Sequence, residues 1–521
     1  MGNAEFLSST NQLESLEGRS VLTSENYLFN QDNADNYQHN LELGVELIST
    51  QLKNIQQPFT GILPHELAPK FESVDLEQPL SSVEEVLKEV KSLYLDDAIY
   101  FHHPKYVAHL NCPVVLPAVL GEMILSSVNS SMDTWDQSAG GTLIEQSLLD
   151  WTCQRIGYDQ QGDGIFTSGG TQSNLMALLL ARDHFCTKRG HSIKEKGLPP
   201  YAHKLRIFTS EISHFSVQKS AALLGLGYDS VISVPVDEHF RMDAVALEDL
   251  IRDCLKNDEI PMAVVATTGT TDFGSIDPIH AIAELCKTYQ MWMHADAAYG
   301  CGLLVSNKHR HLLDGIEKAD SVTVDYHKSY FQPVSCGAFY TKDKNNLSFV
   351  THHAEYLNPL SQSQEGTPNL VNKSIQTTRR FDSLKLWLTL RMMGPAKVGQ
   401  MFDDVMALAQ SAYELYRSDN NINILHKPQI STLVFRYVPS EPCDPEVIDK
   451  ANEFIRKAIF RSGEAVIAST KVNDRRYLKF TLLNPSTSME HLGEILQLIK
   501  QYGEQSIQEQ LASPSITQIA S

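Results

Sequence analysis

The amino-acid sequence predicts an α/β protein: a large domain with a mainly parallel sheet, a small α+β C-terminal domain, and an N-terminal helical arm. Two observations carry this. Between Gly164 and Lys328, short apolar runs of strand length alternate with helical runs, which is the rhythm of βαβ units. The chemically distinctive residues fall just after those runs, at carboxyl ends, where open parallel sheets gather their sites.

At 521 residues the chain exceeds what one core supports, and 42% hydrophobic with 20% charged residues is an ordinary globular composition. Lys and Arg number 43 against 63 Asp and Glu, a net charge of −20 that disfavours nucleic acid and anionic membranes as partners. No apolar run reaches the roughly eighteen residues that a membrane span needs, and the first residues carry neither a signal peptide nor a myristoylation pattern. A cytoplasmic protein is expected. The 8 cysteines are scattered without a C-x-x-C pair, so neither a metal site nor a disulfide framework is expected.

Residues 1 to about 36 are polar and predict a loose arm. Helical periodicity starts near Leu41 and returns at Val83, Val86, Leu87, Val90 and Leu93, with Ser82 and Glu85 forming a capping box. These helices have no core of their own, so the region 1–105 is expected to pack on a partner subunit. The segment from Phe101 to Pro113 is either a cleft wall or a surface connection. In the large domain, 106–395, a helical run from Met132 to Gly157 precedes the turn Gly164 to Arg182. Two glycines there follow a short strand and Thr171 opens a helix, leaving free N–H groups suited to an anion, most often phosphate; a plain strand–helix turn is the alternative. Strands follow at Leu205 to Thr209, Val231 to Val236, Met262 to Thr267 and Met291 to His294, with helices at Ala244 to Leu255 and Pro278 to Tyr289.

Val322, Val324 and Tyr326 alternate with Thr323 and Asp325 as a buried strand that delivers His327 and Lys328. Burial without a partner would depress the lysine's pKa, which suits Schiff-base chemistry, whereas a lysine flanking a strand also snorkels into solvent. Asp296 sits in a small-residue run and needs a cationic partner, either a protonated pyridine nitrogen or an arginine, unless it caps a helix. His214 is either structural or stacked on a flat cofactor. Residues 352–376 are polar and irregular, as in a lid or mobile loop. A helix from Phe381 to Gly394 leads to the small domain, 396–503, with strands at Thr432 to Tyr437 and Tyr477 to Leu483, and then to a polar tail, 504–521.

With G-G-T-Q-S-N-L, H-A-D-A-A-Y-G and D-Y-H-K in this order, the sequence resembles the group II pyridoxal phosphate-dependent amino acid decarboxylases over roughly residues 80 to 500. The resemblance implies the PLP-dependent transferase fold type I, a homodimer, and pyridoxal 5'-phosphate as cofactor. It makes Lys328 the Schiff-base lysine and Asp296 the partner of the pyridinium nitrogen. Ala298 would pack against the ring and His214 stack on its opposite face. Gly170, Thr171 and His327 would bind the phosphate, with Thr271 near the cofactor and the substrate carboxylate. The implied reaction is loss of CO2 from the tethered amino acid, then protonation at Cα. Family members commonly use a Tyr of a mobile loop for that last step. Counting back from R-R-F-D-S-L-K, its position falls near Pro368 to Leu370, where no Tyr stands, so Tyr356 is the expected substitute.

The stretches Y-H-K-S-Y-F-Q-P-V-S-C, Y-L-N-P and P-N-L-V-N-K-S-I-Q-T-T-R-R-F look most like bacterial L-2,4-diaminobutyrate decarboxylases, which make 1,3-diaminopropane, with relatives in polyamine and siderophore routes. Asp133 or Asp136 would then hold the side-chain ammonium. An aromatic amino acid is the alternative substrate class. A non-decarboxylating enzyme on the same cofactor, or a non-catalytic protein that keeps the fold, are readings from other classes.

Overall fold

The computed structural model describes residues 24–512, so the first 23 residues of the expected arm and the last 9 of the expected tail lie outside the described residues. The chain divides into two compact units. In the described part of the first, residues 24–56 and 68–96, a helix Ala34–Asn54 begins seven residues before the expected Leu41. The difference arises because Asp35, Asn36 and Gln38 extend it with polar residues that apolar periodicity does not mark. A second helix, Val83–Val90, is capped as expected by Ser82, whose Oγ accepts from Glu85 N at 3.3 Å. Glu85 reaches back to the N–H of Ser81, not Ser82. Val45, Ile48, Leu52, Val86 and Val90 of these helices stay exposed.

The second unit, residues 57–67 and 97–512 of the described chain, contains both sheets. Its large sheet has seven strands: β1 Asp163–Thr167, β2 Leu205–Ser210, β3 Val231–Val234, β4 Ile260–Thr267, β5 Trp292–Ala297, β6 Ser321–Asp325 and β7 Gly337–Thr341. They lie in the order β1-β7-β6-β5-β4-β2-β3, and only β7 runs antiparallel to its neighbours. Strand alternation sends successive side chains to opposite faces. Ala263 and Val265 of β4, Ile207 of β2 and Phe339 of β7 join one core, while Val264, Ala266, Phe208, Ala338 and Tyr340 join the other. Both faces are therefore covered, and β5, β6 and β7 are buried along their whole length, as βαβ crossovers require. Helix Gly170–Lys188 crosses one face over β4 to β7, and helices Ala244–Lys256 and Ile279–Tyr289 cover the other.

A buried ion pair braces the end of β1. Arg379 lies 2.9 Å from Glu145, with both side chains almost fully enclosed, and donates to the carbonyls of Phe166 and Met132. Glu145 also accepts from the Ser383 hydroxyl. The pair thereby ties helix Gly140–Ile156, strand β1 and the start of helix Ser383–Arg417 to one another.

Helical residues extend over Ser383–Arg417, but they are two helices that meet at Gly394, so the first stops there as expected. Gly394 has φ 75° and ψ 158°, which is non-helical, and Pro395 follows, so the chain kinks there and a second helix starts. The expected boundary at 395/396 falls on this kink. Beyond it lies a four-stranded antiparallel sheet in the order β10-β11-β9-β8, made of β8 Ile422–Ile424, β9 Thr432–Tyr437, β10 Ala468–Val472 and β11 Arg475–Thr481. Helices Pro445–Ser462 and Met489–Ala512 accompany it. The last helix carries order past residue 503 to Ala512, because Gly503, Ser506 and Ile507 still face the core. Among the described residues no helix is long and apolar enough to cross a membrane.

Candidate active site

The carboxyl ends of five strands converge. After β1 comes Ser168-Gly169-Gly170-Thr171 and the helix it opens; after β2, His214; after β4, Thr271; at the end of β5, Asp296 and then Ala298; after β6, a turn Tyr326–Ser329 carrying His327 and Lys328. The sequence-derived cofactor residues thus meet in one region, as the topology requires.

Lys328 Nζ lies 2.9 Å from Asp325 Oδ2, with 21% of its side chain exposed. Burial pulls the ammonium down, but the carboxylates of Asp325 and Asp296 outweigh it and leave the pKa above the ordinary lysine value. The depressed amine expected from burial alone is therefore corrected: the lysine has a partner, its i−3 neighbour. His327 stands 3.7 Å from the same carboxylate, and burial lowers its pKa despite Asp325.

Asp296 is buried, 5% exposed, and its side chain is fixed by donors. Asn174 Nδ2 donates to Oδ2 at 2.8 Å and Ala298 N donates to Oδ1 at 3.1 Å. Asn174 is the residue that reading the sequence missed. Its amide uses every bonding position it has: Nδ2 also donates to Ser216 Oγ at 2.9 Å, and Oδ1 accepts from Thr323 Oγ1 at 2.7 Å and meets His294 Nε2 at 3.0 Å. His294 is fully buried, and desolvation lowers its pKa to about 4, so it is neutral. Its Nδ1 faces the hydroxyl of Ser321, to which Trp292 Nε1 donates. Asn174 Oδ1 can only accept, so the imidazole proton sits on Nε2, and Nδ1 accepts from the Ser321 hydroxyl. On the other side, Ser216 Oγ lies 2.8 Å from His214 Nδ1, and the Ser216 N–H also points to that nitrogen. His214 Nδ1 is accordingly an acceptor, and burial keeps the ring's pKa low. A signal for this hub was present: Asn174 lies one helical turn after Thr171, and the period of two places His294 and Asp296 on one face of β5.

A cavity of about 540 Å³ opens beside Lys328, His327 and Thr271, and Lys479 and Thr481 of β11 line it too. Phe101, His109, Asn111 and Cys112 form part of its wall, which resolves the Phe101 to Pro113 segment as cleft-lining. Lys479 is 5% exposed, with Nζ 2.7 Å from Asp272 Oδ1 and 3.4 Å from the Thr271 carbonyl. An ammonium has three donors, so one is left for a ligand.

Of the expected site residues, Thr271, His327 and Lys328 line this cavity, whereas Gly170, Thr171, His214, Asp296 and Ala298 do not, nor do Asp133, Asp136 and Tyr356. Asp133 is buried and spends Oδ1 on the N–H of Thr134, Asp136 is exposed and accepts from the Thr134 hydroxyl, and neither lines it. Tyr356 is 90% exposed and does not line it either. Segment 352–376 is irregular as expected, but it is pinned from inside. Asn358 Nδ2 donates to the His352 carbonyl at 2.7 Å and to Asn372 Oδ1 at 2.6 Å, and Lys373 pairs with Asp163 at 2.7 Å. Tyr356→Phe is expected to leave the rate of CO2 release within about twofold of wild type, as for an exposed side chain without partners in the site. A tenfold fall would return Tyr356 to the chemistry.

The constellation fits a phosphorylated pyridine aldehyde. Lys328 offers an amine, and Asp296 offers a carboxylate locked by donors for a ring nitrogen. Gly170 and Thr171 begin a 19-residue helix whose first N–H groups have no intrahelical acceptor. Gly169 has φ 142°, and a methyl group on Gly170 would stand 3.0 Å from Asp325 Oδ2 and 3.4 Å from Ala298 Cβ, so the turn packs against the ends of β5 and β6 where a side chain has no room.

Comparison with known proteins agrees. Residues 64–438 match the family model described as the pyridoxal-dependent decarboxylase conserved domain. The chain is 40% identical over 468 residues to an L-2,4-diaminobutyrate decarboxylase of Acinetobacter baumannii, covering 88% of this chain and 91% of the relative. It is 39% identical over 413 residues to the enzyme of that name from Rhizobium meliloti (strain 1021), covering 79% of this chain and 80% of the relative. Among solved structures, the glutamate decarboxylase domain of a diaminobutyrate-pyruvate transaminase and L-2,4-diaminobutyrate decarboxylase from Vibrio parahaemolyticus is similar with a TM-score of 0.84 and 35% identity, over 91% of this chain and 97% of that one. With the lysine, the locked carboxylate and the glycine-edged helix start in one place, the chain belongs to the pyridoxal-dependent decarboxylase family and is an amino acid decarboxylase that uses pyridoxal 5'-phosphate.

Proposed function

We propose that the substrate is L-2,4-diaminobutyrate, converted to 1,3-diaminopropane and CO2, and that the enzyme works as a homodimer in the cytoplasm. The likeness to two L-2,4-diaminobutyrate decarboxylases over most of the chain carries the substrate. Helix Leu116–Val128 supports the dimer: Leu116, Val119, Leu120, Met123 and Val128 form an exposed apolar stripe. The apolar residues left exposed on helices Ala34–Asn54 and Val83–Val90 point the same way, each an unpartnered face that a second copy would cover. The 8 unpaired thiols fit a reducing compartment.

When bound, the cofactor supplies an electron-poor ring that takes up the electron pair released with CO2. Asp296, held in place by Asn174, keeps a proton on the ring nitrogen. Lys328 anchors the cofactor, and the Gly170 and Thr171 N–H groups with His327 bind its phosphate. Neutral His214 would cover one ring face, and Ala298 would pack against the other. Lys479, with its one uncommitted donor, and Thr271 hold the substrate carboxylate. The side-chain ammonium meets the amide oxygens of the cavity wall, Asn111 or Gln332, in place of Asp133 and Asp136.

The test is a panel of 2,4-diaminobutyrate, ornithine, lysine, histidine, DOPA and glutamate, with CO2 and amine measured for each. The expected result is the highest kcat/KM for 2,4-diaminobutyrate with equal amounts of CO2 and 1,3-diaminopropane. A preference for DOPA or another aromatic amino acid overturns the substrate, and keto-acid formation without CO2 overturns decarboxylation.

A further inference from the structure

Lys385 ends the run R-R-F-D-S-L-K and does not line the cavity, yet it is fully enclosed. An ammonium is costly to enclose, so its partners show what it is kept for. Four acceptors share its three donors: the carbonyls of Pro333 and Ser335 at 3.2 and 2.5 Å, Asp382 Oδ1 at 2.8 Å and Glu122 Oε1 at 2.9 Å. Glu122 belongs to helix Leu116–Val128, which crosses the helix starting at Ser383 so closely that a methyl group on Gly121 would stand 3.0 Å from Lys385 Cα. The ammonium therefore sits between two helices and the turn Gln332–Ser335.

That turn depends on it. Gln332, Pro333 and Val334 form part of the cavity wall, close after Lys328 in the chain. On one side of the turn the Phe331 carbonyl accepts from Val115 N at 3.0 Å, and on the other the Cys336 carbonyl accepts from His327 N at 3.0 Å. Between these anchors, Pro333, Val334 and Ser335 make no backbone-to-backbone hydrogen bond among the described residues. Side chains at the start of the next helix hold them instead. Lys385 grips two carbonyls, Asp382 Oδ2 accepts from the Ser335 hydroxyl at 3.1 Å, and Thr389 Oγ1 accepts from Gln332 Nε2 at 3.1 Å. Val334 is 69% exposed, so its own packing does not locate it. A segment whose backbone groups are satisfied by side chains takes the position those side chains give it.

We propose that Lys385 is a positioning residue for substrate recognition: by holding the turn through two carbonyls it fixes the wall that Pro333 and Val334 form, and so sets how long an amino-acid side chain the cavity accepts. Without it the turn slackens and the wall withdraws. Longer diamino acids then gain at the expense of 2,4-diaminobutyrate. The proposal rests on the reading that this cavity holds the substrate, and it deepens that reading.

The experiment measures kcat and KM of the holoenzyme for 2,4-diaminobutyrate and for ornithine, which is one methylene longer, and the affinity for pyridoxal 5'-phosphate. Lys385→Met is expected to raise KM for 2,4-diaminobutyrate about tenfold and to leave kcat within about threefold, the mark of lost uniform binding. The preference for 2,4-diaminobutyrate over ornithine should fall at least about fivefold, since one methylene in a fitted pocket is worth roughly 10- to 200-fold. Cofactor affinity should stay at the wild-type value. Because Lys385→Met leaves Glu122 and Asp382 without their counter-ion, the same measurements are made on Lys385→Met combined with Glu122→Gln and Asp382→Asn, where no enclosed carboxylate is left unpaired. Val334→Ala trims the wall at an exposed position and is expected to move KM and the preference in the same direction. Unchanged values in Val334→Ala overturn the proposal even if neither Lys385 variant folds, and a shift supports the wall that Lys385 holds. An equal fall in kcat/KM for both amino acids, a fall in kcat at constant KM, or a matching loss of cofactor affinity overturns it as well. Should the wild type prefer another amino acid, the substrate assignment falls alone, and the same comparison is made with that amino acid and its next longer homologue.

Discussion

Lys328→Ala is expected to lower CO2 release roughly a thousandfold or more, because it removes the one amine placed to anchor the cofactor. The other lysine of the cavity, Lys479, lies on β11 of the small sheet, away from the strand ends that gather Asp296 and the Gly170-Thr171 turn. Borohydride treatment followed by peptide mapping should label Lys328 in the wild type and leave the variant without a label. A label on Lys479 or any other residue would refute the assignment.

Arg379→Met is expected to cost about 3–5 kcal/mol of stability, measured by urea unfolding, because it leaves the enclosed Glu145 carboxylate without its partner. The same change frees the carbonyls of Phe166 and Met132, to which Arg379 donates. Phe166 is three residues before Gly169, so the damage reaches the start of the cofactor-binding helix. Adding Glu145→Gln to Arg379→Met should recover a large part of the loss, since two neutral groups need no counter-charge. A double variant no more stable than Arg379→Met would show that the hydrogen bonds to the carbonyls, and not the charge pair, carry the effect.

Much of the fold was legible because strands buried on both faces leave a continuous apolar record and the βαβ rhythm separates them. The carboxyl ends of those strands named Lys328, Asp296, His214 and the Gly170-Thr171 turn. The hub at Asn174 was less visible, since its meaning depends on lateral register: Asp296 pairs with Thr323 and His294 with Ser321 across β5 and β6, and nothing in a linear string reports which strands are neighbours. The stop at Gly394 was legible because a glycine followed by proline breaks a helix, whereas the second helix that starts at once beyond it was not foreseen. Tyr356, Asp133 and Asp136 stand outside the cavity wall for another reason. Each was chosen by nearness in sequence to a loop or cleft segment, and side-chain direction in irregular chain is set by packing that sequence spacing does not encode.

The cavity wall draws on both sheets, with Lys328 and Thr271 on turns that follow β6 and β4 of the large one and Lys479 and Thr481 on β11 of the small one. A molecule seated there touches both, so by mass action each occupied site adds cohesion across that seam in proportion to the logarithm of ligand concentration over its dissociation constant. The strength with which the two halves of this unit hold together is thus a property of the loaded enzyme, and it weakens when substrate and cofactor are withdrawn.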